Sequence, residues 1–352
     1  MNNLVRSNIA KLIPYKVNPT NVRWVLNANE SPFNMFEQWQ EDILNELKKE
    51  NINLYPSANC DELRMLLAEN NQCDAENIVC GNGSDEIIKM VTEVFVDQGD
   101  KVIIPIPTFS EYFTSATVAG GEIIRVPSNP DFSFDIDEII RQTNIQDAKL
   151  IFLCVPNNPT GLASDEKDIQ RIIDETAAIV AIDEAYFEFY GKSSLKIALE
   201  NPRVIVMRTL SKAFGVAGIR LGYAIAHPDT IDLIQRVRMP YNISSLTQAV
   251  ARVAVRKSQQ VQQITQSLIE ERKRIVTRLA DLPVEIFESH TNFILYRTAK
   301  FSELMNAFEE TGIAVRVYPN DPMLNNCIRI SLGTIEANDA VIAVFKEAYQ
   351  HD

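Results

Sequence analysis

The chain has 352 residues, of which 46% are hydrophobic and 23% are charged, a composition typical of a soluble globular protein rather than a disordered one. Its net charge of -13 argues against sequence-independent nucleic-acid binding, which depends on clustered Lys and Arg. No apolar run approaches the roughly 20 residues that span a bilayer, and the N-terminus has no signal-peptide core. We therefore expect a cytoplasmic protein with neither a nucleic-acid nor a membrane partner.

Short apolar, β-branched runs alternate with helical patterns over residues 77–226. Two of the helical stretches, 84–97 and 164–177, begin with Ser-Asp, which favours a helix N-cap at the serine. The strand-like runs are 77–81, 101–107, 121–127, 148–156, 177–183, 203–209 and 220–226. Continuous apolar strands that alternate with helices predict an α/β domain with a mostly parallel sheet, covered by helices on both faces.

The pattern changes after Ser244, where apolar residues recur at helical spacing up to about Leu282. Four short strand patterns and a helix at 301–312 follow, which predicts a smaller α+β domain. We predict three parts: an N-terminal arm that packs on the small domain or on a partner subunit, a large domain and a small C-terminal domain. Their boundaries are 1–35, 36–255 and 256–352.

Cysteine and histidine usage limits the chemistry that the chain can perform. The five cysteines are scattered and odd in number, without a C-x-x-C pair, which is typical of reduced thiols rather than of a disulfide framework or a zinc site. The three histidines do not cluster. We therefore expect no metal and no Ser-His-Asp chemistry, so that proton transfer falls to another residue type.

Ligands of an open α/β sheet bind beyond the carboxyl ends of its strands, so the residues that follow each run are the candidates. Each segment taken alone has a structural alternative: an ordinary capped turn, a core phenylalanine or a polar turn. The segments are Gly83-Ser84-Asp85, Thr108-Phe109, 157–161, Asp183-Glu184-Ala185-Tyr186, and 210–220 with Ser211, Lys212, Gly215, Gly218 and Arg220.

Two of these segments favour function over structure. A carboxylate at the end of a buried strand is costly unless it is paired, as at Asp183 and Glu184. A lysine near buried strand ends loses its proton more readily, which suits imine formation by Lys212. Taken together, the segments offer the set of groups that pyridoxal phosphate requires: a lysine, a carboxylate, a Tyr-Asn pair, an aromatic ring and an anion cradle with an arginine.

The sequence resembles the fold-type I pyridoxal-phosphate aminotransferases of class I/II over essentially its whole length. The motifs "NNPTG", "DEAY" and "TLSKAFGVAGIRLGY" stand in that family's order. Within the family, the histidinol-phosphate aminotransferase branch matches best, through "LNANESPF", "LYPSANCDELRMLLA", "GNGSDEII", "PTFSEY", "TNFIL" and "CIRISLGT". The resemblance implies the fold-type I architecture, with a large mixed sheet domain and a small α+β domain.

The resemblance also implies roles for the residues that match the family's cofactor site. Lys212 would bond to the cofactor aldehyde and serve as the base of the proton shift. Asp183 would hold the proton of the ring nitrogen, Tyr186 and Asn158 would bond the ring oxygen, and Phe109 would stack on the ring. The phosphate would be bound by Gly83, Ser84, Asp85, Thr209, Ser211, Arg220 and, from the partner subunit of a homodimer with shared active sites, Tyr55.

Substrate residues follow from the same resemblance. Arg329 would grip the substrate carboxylate or phosphate as a bidentate partner, with help from Arg316 and Tyr15. Asn29 is a further candidate. A solvated charge remains the alternative for Arg316, and a turn residue the alternative for Asn29.

The function implied is transamination of L-histidinol phosphate with 2-oxoglutarate, yielding imidazole acetol phosphate and L-glutamate in histidine biosynthesis. A broad aromatic amino acid aminotransferase on the same frame is the main alternative, and a threonine-phosphate decarboxylase is a further one. A non-catalytic pyridoxal-phosphate sensor would be expected to carry a basic N-terminal domain. A nicotinamide dehydrogenase is excluded because a third glycine is missing after Gly81-Asn82-Gly83.

Overall fold

The computed structural model describes residues 4–14 and 22–350. The strands are β1 (Trp24–Val25), β2 (Ile78–Asn82), β3 (Lys101–Ile106), β4 (Glu122–Pro127), β5 (Leu150–Cys154), β6 (Ile179–Asp183), β7 (Val204–Thr209), β8 (Leu221–Ala226), β9 (Glu285–Ile286), β10 (Phe293–Arg297), β11 (Ile313–Ala314), β12 (Arg316–Val317) and β13 (Cys327–Ser331). The helices are α1 (Met35–Leu47), α2 (Asp61–Asn71), α3 (Ser84–Phe95), α4 (Glu111–Ala119), α5 (Ile136–Ile145), α6 (Glu166–Glu175), α7 (Phe187–Tyr190), α8 (Leu195–Glu200), α9 (Pro228–Val237), α10 (Ser245–Arg256), α11 (Ser258–Leu279), α12 (Phe301–Thr311) and α13 (Ile335–Tyr349).

A seven-stranded sheet forms the centre of the larger unit, in the order β2-β8-β7-β6-β5-β3-β4. Strand β8 runs antiparallel to both of its neighbours, and the pairings from β7 to β4 are parallel. Each of the seven runs predicted from the sequence forms one of these strands. The predicted mostly parallel sheet is therefore confirmed.

Both faces of this sheet are covered, because alternate residues of each strand face opposite sides. On one face, β-strand residues pack against the apolar sides of α3, α4 and α9. On the other face, the intervening residues pack against α5, α6 and α8. Burial on both faces explains why these strands read as continuous apolar runs rather than as alternating ones.

The C-terminal part builds a second, antiparallel sheet in the order β12-β13-β10-β9. Helices α11, α12 and α13 pack on it and share one apolar cluster with β10 and β13. The long helical stretch predicted after Ser244 is two helices, α10 and α11, which meet at Lys257. The domain boundaries at 36 and 256 stay predictions, and none of the described helices is long and apolar enough to cross a membrane.

The described residues before 35 lie in two places. Residues 4–14 contact the end of α4, where Arg6 and Asn8 donate side-chain hydrogen bonds to the carbonyls of Val118 and Thr117. Residues 22–34 lie along the smaller unit, because β1 pairs in parallel with β11. This second segment passes between the two sheets and brings residues 27–30 beside the carboxyl ends of the large sheet.

Candidate active site

Polar loops meet where the parallel strands of the large sheet end. Asp183 is the last residue of β6, Thr209 is the last residue of β7, and residues 107–109 and 155–161 follow β3 and β5. The carboxyl ends of parallel strands share one edge, which is the usual ligand position of an open α/β sheet. Arg329 reaches this edge from β13 of the smaller unit, so both units line the candidate site.

Lys212 lies three residues after β7, on a partly buried loop. Its Nζ donates a hydrogen bond to the carbonyl of Ala28 at 3.2 Å. Burial, and then the charge of Arg329, lowers the pKa of Lys212 from 10.5 to about 8. A lysine with this pKa is partly neutral near physiological pH, and a neutral amine is the nucleophile that attacks a carbonyl carbon.

Asp183 is buried, with 3% of its surface exposed. One carboxylate oxygen accepts a hydrogen bond from the Tyr112 hydroxyl at 2.6 Å, and the other accepts one from the Ala185 N–H at 3.0 Å. Burial raises the pKa of Asp183 to about 6. The group is therefore ionised at neutral pH, and it is able to hold a proton on a ligand nitrogen.

Glu184, the next residue, has a different environment from Asp183. Its carboxylate is buried and pairs with the Arg208 guanidinium at 2.8 Å, and Ser193 and the Ser194 N–H also donate to it. All of these partners are internal, and this carboxylate holds α8 against β7. Of the two carboxylates for which the sequence suggested function, the structure leaves only Asp183 at the strand-end cluster.

Tyr112 is a residue of this site that sequence reasoning missed. It is fully buried, its ring stacks on Phe152 at 4.8 Å, and Phe109 contacts it edge-on at 5.7 Å. Its available signal was its place at the end of the family-like motif PTFSEY, three residues after Phe109, to which no role was assigned. Its role depends on a contact with Asp183, 71 residues along the chain, which no local pattern encodes.

Tyr186 lies at the same edge and is buried. Its hydroxyl accepts a hydrogen bond from the Asn29 side chain at 2.9 Å, and its ring contacts Phe293 edge-on at 5.3 Å. Burial raises the pKa of the Tyr186 hydroxyl, while Arg329 opposes that shift. The hydroxyl is therefore protonated at neutral pH and can donate to a ligand oxygen.

Asn29 is 1% exposed and adopts a left-handed backbone with φ of 54°. Its backbone N–H donates to the Ser331 hydroxyl, its carbonyl accepts from Asn292, and its side chain bonds both Ser331 and Tyr186. Asn29 thus orients Tyr186 between the two sheets. Its predicted contact with substrate stays a prediction.

The two asparagines after β5 have different roles in the structure. Asn157 is buried and joins the loops after β3 and β5, through hydrogen bonds with Thr108, the Pro107 carbonyl and Thr160 at 2.8–3.0 Å. Asn158 instead accepts a hydrogen bond from Arg329 at 2.6 Å. Asn157 therefore positions Asn158 at the site edge. The family resemblance had named Asn158 as the ligand-facing residue, and the structural role of Asn157 was not predicted.

Arg329 is the most notable cation of the site. It is 7% exposed, and its two terminal nitrogens donate to the side-chain oxygen of Asn158 and to the backbone carbonyl of Asn27, both at 2.6 Å. Its guanidinium lies over the ring of Phe293. Its Nε is buried with no partner in the described part of the chain. A buried guanidinium bonded only to neutral oxygens is ready to receive an anion.

Arg316 stands directly opposite Arg329 in the β12–β13 ladder. It is exposed and lies over the ring of Tyr318. Among the residues described, neither arginine forms a salt bridge with a carboxylate. The two positive charges on adjacent strands repel each other, and no negative charge offsets that repulsion. An uncompensated pair of cations at one edge favours an anionic ligand there. Tyr15, predicted to assist them, lies outside the described residues.

A second anion cradle lies at the start of α3. The N-cap residue of α3 is Gly83, with φ of 80°, rather than Ser84 as the Ser-Asp pattern predicted. The positive φ of Gly83 is what requires glycine there, and a Cβ would in addition lie 2.6 Å from the end of the Arg220 side chain. Arg220 is anchored by Asp85 at 2.9 Å. The free N–H groups of a helix start, together with a guanidinium, are able to bind a phosphate, and the predicted phosphate site here stays a prediction.

The predicted start of α6 is also one residue off, because its N-cap is Asp165 rather than Ser164. The Asp165 side chain makes no capping hydrogen bond. Beside the α3 cradle, the hydroxyls of Thr209 and Ser211 lie 3.0 Å apart and are buried. Gly222 of β8 was missed by the sequence reasoning. A side chain there would collide with the Ser84 backbone, so this glycine lets α3 start close to the sheet.

Phe109 and Tyr55 are placed differently with respect to this cluster. Phe109 follows β3 and is partly buried, within the apolar cluster of Tyr112. Tyr55 is 81% exposed, and its ring stacks on that of Tyr241 at 4.6 Å. The structure thus gathers most predicted residues at one edge, and it leaves Tyr55 facing outward.

Comparison with known proteins agrees with this geometry. Residues 24–345 match the family described as Aminotransferase class I and II. A histidinol-phosphate aminotransferase of Thermoanaerobacter sp. (strain X514) is 38% identical over 346 residues, 98% of each chain. One of Ruminiclostridium cellulolyticum is 36% identical over 344 residues, 96% of each chain.

Solved structures show the same fold. The histidinol-phosphate aminotransferase of Sinorhizobium meliloti in complex with pyridoxal-5'-phosphate has a TM-score of 0.89 at 24% identity, covering 99% of this chain and 98% of its own. This likeness confirms the predicted fold class, a large mixed sheet unit with a smaller α+β unit. From the family match and the relatives together, this chain is a member of the aminotransferase class I and II family.

Proposed function

We propose that this chain is a pyridoxal-phosphate-dependent aminotransferase that converts L-histidinol phosphate and 2-oxoglutarate into imidazole acetol phosphate and L-glutamate, in histidine biosynthesis. The observation that carries the substrate class is the pair Arg329 and Arg316, which lie on adjacent strands without a carboxylate partner in the described part of the chain. One substrate offers a phosphate and the other a carboxylate, and a guanidinium binds either in bidentate fashion. Relatives of that name at 36–38% identity support the choice.

The residues present fit pyridoxal phosphate. Lys212 offers an amine of lowered pKa, Asp183 offers a buried carboxylate, and the start of α3 with Arg220 offers a phosphate cradle that a side chain on Gly83 would fill. Phe109, Tyr186 and Asn158 border the space between them. Thr209 and Ser211 add two hydroxyls near the cradle. Under this proposal, Ser84 and Asp85 contribute the N–H groups of the helix start.

When bound, the cofactor supplies an aldehyde for the substrate amine and a ring that takes up the electrons of the broken C–H bond. Asp183 keeps a proton on the ring nitrogen, which strengthens that uptake. Tyr186, oriented by Asn29, donates to the ring oxygen together with Asn158. With its Nζ unbonded and neutral, Lys212 would act as the base that accepts the proton of the substrate C–H bond and would later release that proton. Arg329 fixes the substrate so that the bond to be broken faces Lys212.

We also propose a cytoplasmic homodimer in which Tyr55 reaches the phosphate site of the partner subunit. An exposed apolar depression supports it, because a folded monomer rarely exposes many large apolar side chains together. Ile52, Leu54, Tyr55 and Tyr241 line this depression and are 43–81% exposed, and Met239 and Leu246, which are near it in sequence, are also exposed. Light scattering should give twice the chain mass of 39.7 kDa, and a monomer would contradict this part of the proposal.

The experiment that tests the substrate uses the purified holoenzyme without an oxo acid. L-histidinol phosphate is added at low concentration, and the visible absorbance of the bound cofactor is followed, with L-phenylalanine and L-glutamate as comparators. Rapid loss of the absorbance with L-histidinol phosphate supports the proposal. A response to L-phenylalanine alone would move the substrate to the aromatic class, and release of carbon dioxide from L-threonine phosphate would indicate a decarboxylase.

Two variants test the residue roles in the same assay. Lys212→Ala should abolish both the absorbance and turnover, and retained turnover would refute the catalytic assignment. Arg316→Gln should weaken the response to L-histidinol phosphate more than the response to L-phenylalanine, since only the former carries a phosphate. Arg278→Gln, an exposed arginine of α11, is the matched control and should leave both responses unchanged.

A further inference from the structure

Two cysteines from distant parts of the chain meet beneath the proposed cofactor site. Cys60 immediately precedes α2 and adopts a left-handed backbone with φ of 54°, and Cys80 lies in the middle of β2. They are 2% and 3% exposed, and both are free thiols. Both thiols border the same small cavity, and each shifts the pKa of the other.

The surroundings of the two thiols are polar and positively charged on one side. A cavity of about 10 Å³ borders both, and its other polar walls are Asn59, Arg64, Gln235 and Arg238. Arg238 donates to the Ala58 carbonyl and to Asn59, and Arg64 donates to the Ala75 carbonyl. Neither arginine forms a salt bridge with a carboxylate among the residues described. A cavity of this size has room for about one oxygen atom with its hydrogen, so only one end of a small molecule such as a peroxide can reach the two thiols.

The same neighbours make the two thiols chemically unequal. Contact with Cys80, together with the charges of Arg238 and Arg64, lowers the pKa of Cys60 despite its burial. Contact with Cys60 and burial raise the pKa of Cys80. The thiolate is the reactive form, and a pair with one activated thiol and one thiol close by is the arrangement in which a first oxidation is resolved into a disulfide.

We propose that Cys60 and Cys80 form an oxidation site for small peroxides, which join them in a reversible disulfide. The Cys60 thiolate attacks one oxygen of hydrogen peroxide, the O–O bond breaks, and hydroxide leaves with a sulfenic acid formed on Cys60. The Cys80 sulfur then attacks the Cys60 sulfur, the S–O bond breaks, and water leaves. In total two thiols and one peroxide yield one disulfide and two waters, so the thiols are oxidised and the peroxide is reduced.

The position of the pair couples this oxidation to the cofactor site. Cys60 closes the loop that carries Tyr55, and Cys80 lies on β2, three residues before Gly83. A disulfide holds its two sulfurs about 2 Å apart, nearer than two thiols in contact, so it draws that loop and β2 together. We therefore expect the oxidised protein to release its cofactor faster. This coupling rests on the proposed function, whereas the disulfide itself does not.

The experiment treats the holoenzyme with hydrogen peroxide, blocks the remaining thiols with an alkylating reagent and digests the protein with trypsin without reduction. Cys60 is then on peptide 50–64, and Cys73 and Cys80 share peptide 65–89. We expect the two peptides to be linked with the loss of two hydrogen atoms, and dithiothreitol should separate them. The link should persist in Cys73→Ser, which is the matched control, and vanish in Cys80→Ser and in Cys60→Ser.

Two results would overturn the inference. Peroxide that oxidises cysteines without linking these peptides, or a link that vanishes in Cys73→Ser, would refute the site. Fragmentation of the linked peptides from the unaltered chain locates the bond even if a serine variant folds poorly. Cofactor release is followed by absorbance, and an unchanged rate in the linked protein would refute the coupling. Loss of the proposed transamination without loss of the link would instead count only against the proposed function.

Discussion

Lys212 gives a quantitative prediction about the stability of the cofactor-free protein. Burial and the charge of Arg329 lower its pKa from 10.5 to about 8 in the folded chain. That difference corresponds to about 3 kcal/mol of free energy, since one pKa unit is about 1.4 kcal/mol. Between these two pH values the unfolded chain binds this proton while the folded chain does not. The contribution of Lys212 to the free energy of unfolding therefore rises with pH through this window.

Lys212→Met removes the titrating group and keeps an unbranched side chain. Relative to the parent, the variant should be more stable at pH 7, where the parent must hold a charged amine in a partly buried place. This advantage should shrink by about 3 kcal/mol as the pH rises from about 8 to about 10.5. Below pH 8 the amine is protonated in both states, so the difference between the two proteins should level off.

Urea unfolding of the two cofactor-free proteins, at several pH values from about 7 to about 10, measures this difference directly. Taking the difference cancels the tyrosines and other groups that titrate in both proteins. Lys273→Met, at an exposed position of α11, is the matched control and should show no trend with pH. A stability difference between Lys212→Met and the parent that stays constant over the whole range would refute the argument that burial lowers this pKa.

Three further substitutions test the anion sites and one buried ion pair. Arg329→Lys loses the planar guanidinium that binds an anion in bidentate fashion. The loss of about 1.5–3 kcal/mol of hydrogen bonding should raise KM for L-histidinol phosphate about tenfold or more. An unchanged KM would remove Arg329 from the substrate site. Gly83→Ala puts a side chain on a residue of φ 80°, with its Cβ 2.6 Å from the end of the Arg220 side chain, and equilibrium dialysis should show weaker cofactor binding by about 1–3 kcal/mol. Equal affinity would mean that the cradle adjusts freely. Arg208→Met leaves the Glu184 carboxylate buried without its partner, which should cost about 3–5 kcal/mol in urea unfolding; a loss below about 1 kcal/mol, typical of surface pairs, would contradict it.

Matched controls separate these effects from general damage. Arg141→Met breaks an exposed ion pair with Glu138 on α5, and it should change the free energy of unfolding by less than about 1 kcal/mol. Gly191→Ala also alters a glycine of positive φ, but a Cβ there meets no atom within 4 Å. It tests backbone strain without crowding, so a loss of cofactor affinity as large as that of Gly83→Ala would argue against the role of Arg220.

Much of the fold was predictable because the strands of the large sheet are buried on both faces. Runs such as 179–182 and 204–207 contain only apolar residues and are followed by polar ones, so each strand and its end could be read directly. The end of a strand places the next residue at the ligand edge, and Lys212 and Asp183 followed from that rule. Helix starts were less accurate: the Ser-Asp pattern predicted Ser84 as the N-cap of α3, whereas the N-cap is Gly83, with φ of 80° and without a side-chain capping bond.

The sequence by itself determined the large sheet, the strand ends and the chemical types gathered there, because these depend on local patterns of burial and on the order of the strands. Only the tertiary structure decided which side each polar residue faces. It turned Glu184 toward Arg208 while Asp183 bonds Tyr112, and it assigned Asn157 to the loops and Asn158 to Arg329. It also placed Cys60 and Cys80 at one cavity. The partners come from different strands and loops, so these contacts exist only in the folded chain, and the contact of Asn158 with Arg329 also requires the two sheets to pack together.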